Sequence, residues 1–134
     1  MRSSIQWAAG LFDGEGCVDV DAPRRWTLRV TLGMTHFPTV RRFRALFGRT
    51  GSSLYQQHPK GGRSLLYLVY HGAAAHDALV RMLPFLVTKK AEARIAVQLM
   101  AKRIPKKWKR LSPLEKAQWM TAKKRLQTLK RRSY

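Results

Sequence analysis

The spacing of apolar residues changes period several times along this chain, and each change marks an element. The first apolar stretch, Ile5–Phe12, predicts a helix capped by Ser3 or Ser4, with Ala8, Ala9 and Gly10 forming a face almost without side chains. Asp13-Gly14-Glu15-Gly16 ends it, glycine accepting the left-handed conformation a helix terminus commonly needs. The period then falls to two. Val18 and Val20 alternate with Cys17, Asp19 and Asp21, and after the turn DAPRR the run Trp26 to Met34 sets Trp26, Leu28, Val30, Leu32 and Met34 against Thr27, Arg29, Thr31 and Gly33. Val40, Phe43, Leu46 and Phe47 return to helical spacing up to Gly48. Strands over 52–58 and 63–70 follow, joined by PKGG. A helix carrying Leu79, Met82 and Leu83 stops at Pro84, another runs from about Thr88 to Lys102, and Ser112-Pro113-Leu114-Glu115 opens the last with a capping box. The order is α-ββ-α-ββ-α-α-α with no internal repeat. It predicts an α+β fold with a core domain over 1–104 and a basic helical extension over 105–134.

Composition adds a partner. The chain has 134 residues, 27 Lys and Arg against 7 Asp and Glu, and a formal charge of +20, which draws it to a polyanion, nucleic acid before an anionic membrane. Residues 102–134 hold 13 of those 27 basic residues and one acid, Glu115, interleaved with Trp108, Trp119 and Tyr134. The opening apolar stretch is too short to span a bilayer and runs into Asp13 and Glu15, so no membrane segment and a cytosolic location are expected. A single cysteine, Cys17, excludes an internal disulfide framework and a cysteine zinc site, and the four histidines show no zinc-ligand spacing.

Against that charge, four of the seven acids, Asp13, Glu15, Asp19 and Asp21, crowd into nine residues. A carboxylate at position 15 meets the partial negative charge of a helix C-terminus, which is unfavourable unless something positive shares the site. In a protein that holds phosphates, a divalent metal serves, because hard cations take carboxylate, carbonyl and water oxygens and need few protein ligands when phosphate supplies the rest. The plainer alternative is that Asp13 and Glu15 are turn and cap residues near arginines.

The segment AAGLFDGEG, after Trp7 and before a period-two strand, resembles the signature of the LAGLIDADG homing endonucleases. LRVTLGMTHFPTVRRFRALFG is similar to that family's second strand and following helix, and LVRMLPFLVTKKAEARIAV to its third helix, Leu-Pro-aromatic break and Lys-rich helix start. The likeness covers roughly residues 4–100 in the family's αββαββα order. It implies an antiparallel β-saddle for DNA, with the basic C-terminal helices as an addition denser in charge than in compact members. It further implies Glu15 as metal ligand with the Gly14 carbonyl as second contact, and Mg2+ as the metal, with Ca2+ or Mn2+ able to substitute in binding and no other small-molecule cofactor. One signature per chain implies a homodimer packed through Ala8, Ala9 and Gly10, with Asp13 shaping the helix end at that interface. Lys89 matches the family's basic active-site residue, with Lys90 its rival by one step. His36 stands nearest to the polar residue that orients a water in relatives; it is a general base or a polar turn residue.

On such a saddle one strand face packs and the other reads bases. Cys17, Asp19, Asp21, Thr27, Arg29 and Thr31 then face DNA, Asp19 and Asp21 suited to cytosine and Arg29 to guanine, while Arg24 and Arg25 in the turn suit phosphate. Tyr55 and Gln57 are candidates on the second strand pair, with Lys60, Arg63, Lys106 and Lys107 as further DNA contacts. The implied activity is metal-dependent hydrolysis of both strands of a long, pseudo-palindromic double-stranded DNA target. The alternatives are an inactive DNA-binding regulator or RNA-splicing maturase of the same fold, or a basic RNA- or ribosome-binding protein with no enzymatic role.

Overall fold

The computed structural model describes residues 4–104 and 110–132. Helix α1 spans Ile5–Glu15 and is capped by Ser4, whose Oγ accepts from the Trp7 amide at 3.1 Å. It passes without a loop into β1, Gly16–Asp21. Gly16 is not left-handed as expected: its φ of −85° is open to any residue. Glycine is needed there for space, since a Cβ would land in the Phe12 ring.

Strand β2 (Thr27–Met34) pairs antiparallel with β1, placing Val18 opposite Val30 and Asp19 opposite Arg29. Helix α2, Phe37–Phe47, takes Pro38 in its first turn, where the missing amide is tolerated. Strands β3 (Ser52–Gln57) and β4 (Leu65–His71) then form the second hairpin, and β4 docks beside β2, so the sheet order is β1-β2-β4-β3. Helix α3, Gly72–Met82, starts at the end of β4, and Pro84 sits in a short 3-10 turn beyond it. Helix α4 spans Lys90–Arg103 and α5 spans Pro113–Arg132. The capping box at the start of α5 forms as predicted, Ser112 and Glu115 exchanging hydrogen bonds at 3.0 and 3.1 Å.

One sheet face makes the core. Val18, Val20, Leu28, Val30, Leu32, Leu66, Leu68 and Tyr70 are buried there with Phe12, Phe43, Leu79 and Met82 from the helices. Burial pushes the Tyr70 phenol up to about 12, and its hydroxyl donates to the Gly48 carbonyl at 2.6 Å, satisfying it inside the core. Helix α5 joins this core through Trp119 and Leu126. No helix among the described residues is long and apolar enough to cross a membrane.

Candidate active site and nucleic-acid face

The four clustered acids have four different fates. Asp13 accepts from the Val87 and Lys89 amides at 2.9 and 3.0 Å, and its own carbonyl accepts from Lys89 Nζ at 3.1 Å. It therefore ties the loop before α4 to the end of α1. Asp19 accepts from its neighbour Val20 at 2.8 Å and from Arg29 at 2.7 Å. Asp21 lies 4.0 Å from Arg25. Glu15, the last residue of α1, is exposed and has no hydrogen bond or ion pair among the described residues. Three of the acids are thus engaged within the chain, and only Glu15 keeps its oxygens open.

The pinned loop places Lys89 on a cavity of about 240 Å3 lined by Asp13, Gly14, Gly16, Cys17, Thr88, Glu92 and Lys130; Lys90, the alternative, is absent from that lining. Glu92, nearly buried, is raised above the ordinary glutamate range by burial, with Lys89 and Lys130 pulling it back. Neither Glu92 nor Lys130 was expected here. Lys130 lies 113 positions from Cys17 in sequence, so no local pattern could have linked them. His36 is exposed beyond the end of β2, its Nδ1 within 2.6 Å of Thr39 Oγ1. Because Gly16 pairs with Leu32, that end of β2 is also the end of the sheet at which Glu15 lies.

The second sheet face is open, and register arranges it in rows. Asp19, Arg29 and His71 form one; Cys17, Thr31, Val69 and Ser53 the next; Gly33, Tyr67 and Tyr55 a third. A trough of about 510 Å3 follows Cys17, Asp19, Arg29, Thr31, Ser53, Tyr55, Val69 and His71. Tyr55 and Tyr67 stack with centroids 5.4 Å apart, and a Cβ at Gly33 would land in the Tyr67 ring. Strand β4 is apolar on both sides; Leu66, Leu68 and Tyr70 take the core, and register puts Tyr67, Val69 and His71 on the other face, Val69 itself being only 5% exposed. His71 is lowered by burial and by the charges of Arg29 and Arg25. Arg29 is raised chiefly by its hydrogen bond to Asp19. Arg24, Arg25, Gln57, Lys60 and Arg63 are exposed.

Several expectations are corrected. Thr27 is not open to DNA: it is 4% exposed, with its hydroxyl unpartnered among the described residues. Register keeps it on the face of Asp21, Asp19 and Arg29, but at the hairpin end, just after Trp26 with its φ of 53°, it is covered. Trp26, placed within the strand from its spacing, stands before it. Ala8 and Ala9 are fully buried in their own chain's core, so they are not a free face. The small face left open on α1 is Gly10 and Gly14, where an added Cβ would meet nothing within 4 Å. Asp13 turns toward its own chain's loop rather than outward. Lys106 and Lys107 lie outside the described residues.

The donors around Glu15 suit a hard cation: a free carboxylate and the neighbouring Gly14 carbonyl, with no competing thiolate or imidazole cluster among the described residues, are oxygen ligands of the kind Mg2+ takes together with phosphate and water. Among the described residues no three His, Cys, Asp or Glu side chains gather as a self-sufficient metal site.

No protein-family model matches the chain, and no curated protein matches it. Among solved structures it is similar to the homing endonuclease I-CvuI bound to the I-CreI target with magnesium and the DNA not cleaved. That match has a TM-score of 0.70 at 18% identity and covers 93% of this chain and 80% of that one. It is similar also to I-CvuI with its target Sro1.3 in calcium, at a TM-score of 0.69, 18% identity and the same coverage. The chain has the LAGLIDADG homing-endonuclease fold, with a four-stranded antiparallel sheet and five α-helices among the described residues.

Proposed function

We propose that this chain is a metal-dependent DNA endonuclease that acts as a homodimer on a long double-stranded target. The observation that carries the reading is Glu15: of four clustered acids it alone has no partner among the described residues, at the rim of an open polar sheet face and two residues along α1 from Asp13, which holds Lys89 in place. A protein that only bound DNA would gain nothing from a bare carboxylate next to phosphate. In this reading Glu15 and the Gly14 carbonyl hold the cation. When bound, a hard divalent ion supplies neutralisation of phosphate charge and activation of the attacking water. Water oxygen bonds to phosphorus as the ester P–O bond breaks, and the Lys89 ammonium, with donors beyond its bond to Asp13, faces the growing negative charge. Arg29, oriented by Asp19, keeps further N–H groups for a guanine edge.

Homodimerisation supplies the second strand's site. Gly10 and Gly14 lie one helical turn apart on the open side of α1, which lets two such helices approach closely and brings two Glu15 residues to one seam. The interface thus shifts from the alanines to the glycines.

The test is cleavage of a randomised duplex library with Mg2+, followed by Glu15→Gln on the selected site. Cutting should fall by about a hundredfold or more while affinity persists, as expected for loss of transition-state charge stabilisation. Undiminished cutting by the variant would remove Glu15 from the chemistry. Duplex binding without cutting by the wild type would favour a regulator, and preference for structured RNA a splicing factor.

A further inference from the structure

Helix α5 is not a loose basic arm. Trp119, Ala122 and Leu126 are buried along one side of it, and the Arg103 guanidinium of α4 lies 6.0 Å above the Trp119 ring. The other side runs back along the edge strand β1, antiparallel to it. Lys116 sits over the Trp26 ring at 5.7 Å, Lys123 donates to the Ala22 carbonyl at 2.6 Å, and Lys130 reaches Cys17 Sγ at 3.5 Å. Packing therefore sets where Lys130 stands, against Cys17, which follows Glu15 by two residues, and in the same cavity as Gly14, Thr88 and Lys89.

An ammonium group carries three donors. Lys130's hydrogen bond goes to a thiol, a weak acceptor. Glu92, the carboxylate sharing the cavity, forms no ion pair with it among the described residues. Two donors on a half-buried lysine thus open toward a polar cavity, and phosphate oxygens are the strong, charge-assisted acceptors that match them.

We propose that Lys130 is a second phosphate-binding lysine of the active site, gripping the DNA phosphate near Glu15 together with Lys89. The inference rests on the endonuclease reading and deepens it: the C-terminal helix supplies a group at the scissile position rather than diffuse attraction alone.

The competing role is counter-charge for Glu92, and a double-mutant cycle separates the two. Single-turnover cleavage by Lys130→Ala should be slower by about tenfold or more, with partial recovery in Lys130→Arg. The same loss should recur when Lys130→Ala is added to Glu92→Gln, since the phosphate contact does not depend on the carboxylate. If the loss disappears in the Glu92→Gln background, Lys130 only balances Glu92 and the proposal is overturned. A second readout needs no cutting: lysine acetylation followed by mass spectrometry, with and without saturating duplex. Protection of Lys130 alongside Lys89 supports the contact. Binding of duplex that leaves Lys130 acetylated at its original rate overturns this inference alone, whereas a wild-type protein that neither binds nor cuts any duplex overturns the functional reading along with it.

Discussion

Asp13 and Glu15 are two residues apart and have opposite roles, and the difference is set by what each carboxylate meets. Asp13 accepts from the Val87 and Lys89 amides just ahead of α4, which have no other acceptor among the described residues, so it acts as a clamp. Glu15, in the last turn of α1, is exposed and has no partner among the described residues. Asp13→Ala should lower stability by about 1–2 kcal/mol in urea denaturation, toward the low end for bonds to a charged acceptor because Val87 is exposed and water can take over there. In the endonuclease reading it should also slow cleavage through misplacement of Lys89, with affinity nearly kept, and Asp13→Asn should recover part of both. A cleavage rate that is unchanged in Asp13→Ala would show that Lys89 does not need this tether.

Among the elements, the junction of α1, β1 and α4 is closely packed. Gly16 has no room for a Cβ because of Phe12, and Glu92 is carried into the same corner by α4. Its carboxyl is raised, so the protonated form is the one the folded chain favours. The sign follows: that contribution to stability is fully present below the unfolded glutamate value and is lost as pH rises through the folded one, leaving ionised Glu92 a burden at neutral pH. Glu92→Gln should therefore melt at a higher temperature than wild type at pH 7 without DNA or metal. The difference should shrink as pH falls into the ordinary carboxylate range. A wild type that melts higher at neutral pH would mean that Lys89 and Lys130 outweigh the burial of Glu92.

At the scale of the whole molecule, the open glycine face and the large positive charge act in opposite directions. A charge of +20 repels a second copy, and two chains meeting along α1 must overcome that repulsion or share it with DNA. Gly10→Leu tests the contact. Leucine has the higher helix propensity by nearly 1 kcal/mol, and the position is open in the single chain, so the monomer should melt no lower than wild type. In the homodimer reading the bulk should nonetheless turn a dimer into a monomer in gel filtration at micromolar concentration. A variant that remains dimeric would move the interface elsewhere.

The local pattern alone determined the elements and their order. Alternation in β1 and β2, helical spacing at Val40, Phe43 and Phe47, and the Ser112–Glu115 box each depend on neighbours within one or two turns, where side-chain direction follows from backbone geometry. It also determined the net charge of +20, which is a sum over residues. Local pattern could not decide which of several equivalent groups stays free. The buried state of Ala8, Ala9 and Thr27, the pairing of Asp19 with Arg29, the choice of Lys89 over Lys90 for the cavity and the arrival of Lys130 beside Cys17 all depend on which distant segment packs alongside. Those contacts exist only after the chain has closed on itself, because burial and charge pairing are properties of neighbours in space.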